Sequence, residues 1–201
     1  MIIDMCIQGE EEWHQKRAGN PGATGTSNII TSTGKTSTSR EKYLYQMAEE
    51  TITGTKKKSY SNDAMQRGID LEPEARAVFS STKRIEVEQV GMIYADDDKR
   101  YHISPDGIMQ SLGKGLEIKC PSLMVHDKYC EKGICPTEYR LQVQTSLMVT
   151  GFDSWFFMSY FPGLNPFIIE VQRDERLISV IFEEIEAFIC DLDSLVARLK
   201  D

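Results

Sequence analysis

Apolar residues recur at steps of three and four in the first part of the chain, the spacing of helices with one buried face. They predict a helix over residues 40–51 that begins after Ser39, a residue type that caps helices. A second helix is predicted over 63–80, with a break or kink at Gly68 or Pro73 because both residue types disfavour a helix interior.

The same spacing returns after residue 120. One helical segment is predicted over 121–130, and another begins at Pro136 and ends at Gly151, as proline favours the first turn of a helix and glycine its end. The C-terminal segment predicts a long amphipathic helix packed on one face. Its apolar positions are 177, 181, 185, 188, 192, 195 and 199.

The middle of the chain changes to the alternating pattern of strands. Strands are predicted over 85–94, 101–108 and 115–119, with a turn at 110–113. Aromatic and β-branched residues predict two more strands, over 154–161 and 166–172. The order of helices, three strands, helices, two strands and a helix predicts an α/β or α+β fold, a central mixed β-sheet flanked by helices.

Composition predicts one domain over residues 1–201, because 40% hydrophobic residues in 201 are enough for one substantial core. No apolar run approaches the roughly 20 residues of a membrane span, and the N-terminus has no basic leader. The five cysteines are scattered without a Cys-x-x-Cys pair, which argues against a zinc ribbon or a disulfide framework. We therefore expect a cytoplasmic protein with free thiols.

Charge is distributed unevenly around the formal net charge of −8. Residues 174–201 hold eight acidic and three basic side chains, whereas residues 35–58 hold six basic and three acidic ones, including a basic loop within 54–61. Such asymmetry suits a protein with one DNA-facing side. On charge alone, two solvated helix faces explain the pattern better.

The strongest chemical signal is Ser104-Pro105-Asp106-Gly107, followed by Glu117-Ile118-Lys119, with ten residues between Asp106 and Glu117. Residues two apart in a strand share a face, so Glu117 and Lys119 point one way and Ile118 points into the opposite core. If the preceding strand pairs across the short turn, Asp106 lies beside Glu117. Two carboxylates and a lysine then meet where an apolar core is otherwise expected.

Mg²⁺ would neutralise such a cluster, since it prefers oxygen ligands and keeps positions for water and a phosphate oxygen. The metal polarises the scissile phosphate and lowers the pKa of a bound water, which Lys119 would orient or deprotonate. A Glu-x-Lys pair alone is common on surface strands. The upstream Pro-Asp is what makes a metal-dependent phosphodiesterase the stronger interpretation.

Further polar residues are candidates for the same site. Glu72 shares a helix face with Gly68, whose lack of a side chain allows close approach of another backbone, but Glu72 fits a solvated charged turn equally well. Gln142 and Gln144 lie on different faces of their helix, so at most one points at the site.

Phosphate-binding candidates lie near the N-terminus, where residues 12–17 predict a short helix before a Gly/Ser/Thr-rich stretch at 19–39. Arg17 can fork onto a phosphate, and the hydroxyls and amides at Thr24 and Thr26 suit an anion. The three histidines, at positions 14, 102 and 126, have no metal-ligand spacing.

Taken in order, these motifs resemble the bacteriophage lambda exonuclease group, the YqaJ-like viral recombinases of the PD-(D/E)xK nuclease superfamily. The matching segments are E-W-H-x-x-R at 12–17, G-x-x-x-E at 68–72, S-P-D-G at 104–107, L-E-I-K-C-P at 116–121 and Y-x-x-Q-V-Q at 139–144. The resemblance implies a restriction-endonuclease-like core. It divides the chain into DNA-end-binding helices (1–84), a catalytic core (85–172) and the C-terminal helix (173–201).

The resemblance also implies an activity: 5′-to-3′ digestion of linear double-stranded DNA, leaving 3′ overhangs for homologous recombination by strand annealing. It implies two Mg²⁺ ions, replaceable by Mn²⁺, held by Asp106, Glu117, the Ile118 carbonyl and, through water, Glu72. Lys119 would activate water and Gln142 would support the nucleophile.

The resemblance further implies that Arg17 and Thr24 grip the terminal 5′ phosphate, with Ser104 contributing. The family pattern has an arginine shortly after Cys-Pro, which is missing here, so His126 or Lys128 would have to substitute. A closed homotrimeric ring and a single-strand annealing protein as partner are implied as well, in the cytoplasm of a bacterial host that carries the phage or prophage gene.

Three alternatives remain. A Cas4-like or RecB-type nuclease with an iron–sulfur cluster needs cysteines grouped near the C-terminus, but Cys190 is the only cysteine after Cys135. A site-specific endonuclease needs an added base-reading element. A DNA-end-binding scaffold without catalysis has no need for Asp106, Glu117 and Lys119 together.

Overall fold

The computed structural model describes residues 1–57 and 63–201. The last part of the predicted basic loop, from Lys58 onwards, lies outside the described residues. The helices are α1 (Glu11–Arg17), α2 (Thr26–Ile29), α3 (Arg40–Thr53), α4 (Asp63–Lys83), α5 (Leu123–Lys132), α6 (Thr137–Thr150) and α7 (Glu175–Lys200). The strands are β1 (Ile2–Asp4), β2 (Met92–Tyr94), β3 (His102–Ile103), β4 (Gly107–Met109), β5 (Lys114–Lys119), β6 (Ser154–Ser159) and β7 (Phe167–Gln172).

The larger sheet has the order β4-β5-β6-β7 and is mixed, as predicted. Strands β5 and β6 run parallel, and the other two pairings are antiparallel. Gly107 pairs with Leu116, which places Asp106 opposite Glu117 at the edge of the β4–β5 ladder. The predicted pairing across the short turn is therefore present.

A second, antiparallel sheet has the order β1-β2-β3, and β1 was not predicted. The prediction of one strand over 101–108 was wrong, because the chain leaves this sheet after Ile103 and enters the larger one at Gly107. Pro105 lies in that crossing and has no N–H for a ladder. The strand predicted over 85–94 is likewise limited to β2, apart from one bridge between Glu88 and Ile108.

The two faces of the larger sheet contact different cores. Phe156 and Met158 of β6 face a cluster that includes Phe79 of α4, and Trp155 faces a cluster built largely from α6 and α7. The Trp155 ring covers Gly115, where an added Cβ would lie 2.3 Å from ring atoms. This contact requires glycine beneath the tryptophan.

The predicted C-terminal helix is confirmed as α7, whose buried side chains follow the predicted spacing, although Leu199 is half exposed. Helix α6 ends as predicted at Gly151, in the left-handed conformation with φ of 69°. Two local predictions were wrong. Helix α4 runs through Gly68 and Pro73 without a break, and the Ser39 side chain makes no capping hydrogen bond to α3.

Across residues 1–57 and 63–201, no helix combines the length and apolar character that a membrane crossing requires. The five cysteines are free thiols.

Candidate active site

The candidate site lies at the end of β5, with α4 and α6 on either side. Glu117 and Lys119 lie on one face of β5, and Ile118 packs in the opposite core with 5% of its surface exposed. The alternation of the strand therefore separates the charged pair from the apolar side chain between them.

Two hydrogen bonds hold the Asp106 residue in place. Its Oδ2 accepts from the backbone N–H of Ile118 at 2.6 Å. Its backbone carbonyl accepts from Nε of Arg76 on α4, also at 2.6 Å. Asp106 is thus tied to both β5 and α4, and its Oδ1 accepts no hydrogen bond from a described residue.

Glu117 is 2% exposed and is the most buried carboxylate of the site. Its Oε1 accepts from Nζ of Lys119 and, at 2.6 Å, from Nε2 of Gln142 on α6. The Lys119 ammonium also lies 5.1 Å from the centre of the Tyr139 ring. Gln144 points away from the site and bonds the backbone of Gln172 and Asp174.

Glu72 approaches the site from α4, where Arg76 is its ion-pair partner one turn along. Burial raises the pKa of the Glu72 carboxyl above its ordinary value, more than Arg76 lowers it; the charges of Lys119 and Glu117 also act on it. The close backbone approach expected at Gly68 is absent from the part of the chain that the structure describes, since no atom lies within 4 Å of an added Cβ.

Burial also disfavours the charged form of the Asp106 carboxyl. It raises the pKa of Asp106 well above its ordinary value, and the neighbouring Glu117 raises it further. Burial alone would lower the pKa of Lys119, but the Glu117 and Asp106 carboxylates reverse the effect and raise it. The negative charge of the cluster therefore exceeds what Lys119 neutralises.

The oxygen donors of this cluster fit a hard divalent cation. Asp106 and Glu117 each have one oxygen held by hydrogen bonds, which leaves Oδ1 and Oε2 without a described partner. In residues 1–57 and 63–201, no three His, Cys, Asp or Glu side chains come together as a ready-made metal cage. Two carboxylates completed by a carbonyl and water are a normal Mg²⁺ environment, whereas a Zn²⁺ site needs more protein ligands.

Four of the phosphate-binding candidates lie near the N-terminus or in the S-P-D-G segment. The guanidinium of Arg17 lies 3.9 Å from the centre of the Trp13 ring, and Trp13 Nε1 donates to Ser104 Oγ at 3.1 Å. The Trp13 indole thus joins Arg17 to Ser104. Ser104 lies two residues before Asp106 in the chain. Thr24 is exposed in a short 3-10 turn, while Thr26 is buried and bonded to Thr145.

The two proposed substitutes for the missing arginine lie on α5 in different surroundings. His126 is 2% exposed, with Nδ1 2.8 Å from Ser159 Oγ and Nε2 3.6 Å from Cys130 Sγ. Both ring nitrogens are therefore engaged inside the protein, so His126 has none left for a phosphate in this conformation. Lys128 is exposed.

Sequence reasoning missed three residues that shape the site. Arg76 joins Glu72 to Asp106, and its spacing of four from Glu72 was a usable signal. Tyr139 lies three residues before Gln142, on the same face of α6. Arg67 of α4 donates to the carbonyls of Cys120 and Pro121, directly after Lys119, and no local pattern indicates that contact.

A mixed sheet flanked by helices, with Glu117 and Lys119 at the end of a central strand and Asp106 opposite them before the edge strand, defines a protein of the PD-(D/E)xK nuclease fold. The chain belongs to the YqaJ-like viral recombinase family, whose model matches residues 12–153. This relationship supports a nuclease role.

Solved structures agree with the family assignment. An alkaline exonuclease from Laribacter hongkongensis is 32% identical with a TM-score of 0.86, over 95% of this chain and 96% of that one. Its complex with dAMP matches over the same shares, with 33% identity and a TM-score of 0.86. A phage-related exonuclease from Haemophilus somnus shares the fold at 17% identity and a TM-score of 0.72, over 90% of this chain and 96% of that one. Comparison with curated proteins found no match.

Proposed function

We propose that this protein is a magnesium-dependent exonuclease that digests one strand of linear double-stranded DNA from its 5′ end and leaves a 3′ overhang. The observation that carries the proposal is the pair of carboxylates, Asp106 and Glu117, each with one oxygen left for a cation beside the ammonium of Lys119. The solved alkaline exonuclease at 32% identity supports the same activity.

Two Mg²⁺ ions are proposed for this site, with Mn²⁺ as a substitute. Asp106, Glu117 and the Ile118 carbonyl would hold one, and Glu72 would hold the other through water. When bound, the metal would polarise the scissile phosphate and acidify water.

The protein's own groups would position the reaction. Lys119 is fixed between Glu117 and the Tyr139 ring, where its ammonium can orient the attacking water and offset negative charge on the phosphate. Gln142 holds the Glu117 carboxylate from α6, and Arg76 holds the Asp106 backbone from α4. These contacts fix both carboxylates before substrate binds.

The DNA end would be held by Arg17, Thr24 and Ser104, which we propose as the 5′-phosphate site, with Lys128 as a further candidate. The Trp13 indole connects Arg17 to Ser104, and Ser104 precedes Asp106 by two residues, which supports the proposal. The relative crystallised with dAMP binds a deoxynucleoside monophosphate, the kind of product that an exonuclease releases.

In the cell, the proposed 3′ overhang would pass to a single-strand annealing protein for phage-type recombination in the host cytoplasm. A homotrimeric ring that encloses DNA would account for processive digestion. It would also reconcile a net charge of −8 with DNA binding, since only the interior of the ring has to be basic.

Digestion of defined DNA substrates tests the activity and its direction. With Mg²⁺, linear duplex labelled at one 5′ end should release labelled mononucleotide early, and duplex labelled at the 3′ end should keep its label on a long single strand. Closed circular duplex of the same sequence is the control and should stay intact. Cutting of the circles, or early release of the 3′ label, would contradict the proposal.

A further inference from the structure

A second polar cluster lies where the end of α1 meets the end of α3. It contains two cations, Arg17 and Lys56, and one carboxylate, Glu50, with the buried His102 behind them. Arg17 and Lys56 are close enough for each to affect the charge state of His102. The proposed catalytic chemistry does not use Lys56, Glu50 or His102.

Glu50 is the fixed point of this cluster, with 1% of its surface exposed. Its carboxylate accepts from the backbone N–H groups of Gly19 and Lys57, each at 3.2 Å, and from Gln46 Nε2 at 3.0 Å. Lys56 adds a further contact, with Nζ 3.3 Å from Glu50 Oε2. Glu50 therefore joins the loop after α1 to the start of the basic loop.

Lys56 is directed toward Arg17 as well as toward Glu50. Its Nζ lies 3.5 Å from the Arg17 carbonyl oxygen, and 24% of its side chain is exposed. Burial lowers the pKa of the Lys56 ammonium, the Glu50 carboxylate opposes that effect, and the positive charge of Arg17 adds to it. The Lys56 ammonium is thus held by a carboxylate and by the backbone of a residue that carries a second cation.

Positive charge in this cluster exceeds negative charge. Among the described residues no carboxylate forms an ion pair with Arg17, and its buried Nε has no hydrogen-bond acceptor. Burial lowers the pKa of Arg17 too, which reports the cost of keeping it charged there. Glu50 offsets one of the two cations, so one positive charge and several N–H donors remain for an anion.

His102 closes the back of the cluster without supplying a negative charge. It is 2% exposed, its Nδ1 lies 3.2 Å from Asn20 Oδ1, and its Nε2 has no partner among the described residues. Burial lowers its pKa well below the ordinary value, and Arg17 and Lys56 lower it further. Gly22 packs on the ring, where an added Cβ would lie 2.8 Å from Nε2.

We propose that Lys56 is a second phosphate-binding cation beside Arg17, and that together they bind the phosphate monoester at the end of a DNA strand. A terminal monoester carries a charge of about −1.5 to −2 at pH 7, whereas an internal diester carries a single charge. A pair of cations therefore favours the strand end over the rest of the backbone. This inference rests on the proposed function and adds a specificity-determining residue to it.

The neighbouring lysine is a matched control. Lys57 carries the same charge one position away, but its ammonium pairs with Glu49 on the surface, at 3.2 Å, with both side chains about 60% exposed. Lys56→Gln and Lys57→Gln remove the same charge from the same loop. Lys56→Arg keeps the charge at the inner position.

The test measures binding of fluorescent duplexes with a 5′ phosphate or a 5′ hydroxyl to protein that carries Lys119→Ala, which keeps the DNA intact. Lys56→Gln should reduce the preference for the phosphorylated end by about tenfold, the order expected for one charge-assisted hydrogen bond. Lys57→Gln and Lys56→Arg should retain the preference. Thermal melting checks that each variant is folded.

Three results would overturn the role of Lys56. The first is the same preference for the phosphorylated end in Lys56→Gln and Lys57→Gln. The others are equally weakened binding of both duplexes in Lys56→Gln, and a parent protein with no preference for the phosphorylated end. Because the readout is binding, it separates this inference from the proposed activity. If the parent protein degrades no DNA but Lys56→Gln loses the end preference, the exonuclease proposal is refuted and the phosphate-binding role of Lys56 stands. If the parent protein digests DNA but Lys56→Gln keeps its preference for the phosphorylated end, the role of Lys56 is refuted and the exonuclease proposal stands.

Discussion

Lys119 is restrained on two sides, by the Glu117 carboxylate and by the face of the Tyr139 ring. A lysine on a flexible surface would lose considerable side-chain freedom when it engages a phosphate, but most of that loss has already occurred here on folding. We therefore expect Lys119 to act on the rate of the chemical step and to contribute little to DNA affinity.

Lys119→Ala should bind DNA and turn it over at least about 100-fold more slowly, the effect expected for a positioned proton-transfer group. Single-turnover digestion with excess enzyme measures the step directly. Lys114→Ala is the control, because Lys114 lies at the other end of β5 and pairs with Glu170. A near-normal rate in Lys119→Ala would remove this lysine from the mechanism.

At the scale of elements, the side chain and backbone of Asp174 link the start of α7 to α6. Asp174 accepts from the Leu177 N–H at 3.1 Å as the helix cap, and pairs with Arg140 of α6 at 2.6 Å. Its own N–H donates to Gln144 Oε1 at 2.8 Å. The cap therefore also positions the helix that carries Gln142.

Asp174→Ala should lower the free energy of unfolding by about 1 kcal/mol at pH 7, the usual cost of losing a cap. The Leu177 N–H, and then Arg140, lower the pKa of Asp174. Its contribution is thus complete above the unfolded value of 3.8 and is lost as the pH falls through the lower folded value. Urea unfolding at pH 7 and near pH 3 measures the difference, which should shrink in acid. Glu186→Ala, in the middle of α7, is the control, and an equal loss in both variants would contradict the cap.

Local spacing predicts those elements in which buried and exposed positions alternate regularly along the chain. Helix α7 has a buried residue at nearly every third or fourth position, so its pattern is complete in the sequence. The pairing of Asp106 with Glu117 was predictable because the short turn between β4 and β5 allows few registers. Strand β1 was not predictable, since its three residues pair only with distant β2.

The missing parts of the site depend on how α4 packs. Arg67 and Arg76 reach the Cys120–Pro121 carbonyls and Asp106 because that helix lies along β5 and carries Phe79 into the core beneath it. No spacing in the sequence specifies such a contact between segments 30 or more residues apart. The sequence indicated Glu72 as a candidate, but it did not indicate Arg67 and Arg76 on the same helix.

At the scale of the whole molecule, the acidic surface of α7 is only partly neutralised. Arg40 pairs with Asp191 at 2.8 Å and Arg100 pairs with Asp193 at 2.6 Å. Several other acidic residues of α7 are exposed, and the chain retains its net charge of −8. DNA approaching such a monomer at random would meet more repulsion than attraction, and the proposed closed assembly, if its interior is basic, would remove this difficulty.

Sedimentation equilibrium should accordingly give about three times the chain mass of 22.9 kDa. Measurements over a range of protein concentrations, at low and moderate salt, separate a stable ring from weak association, because a closed ring has no free interface left to add subunits. The ring also predicts processive digestion. When excess unlabelled DNA is added after digestion has started, each bound enzyme should continue to release many nucleotides from its labelled substrate. A monomer at every concentration would exclude the ring, and the protein would then have to bind DNA through local positive sites such as Arg17 and Lys56 against its own net charge.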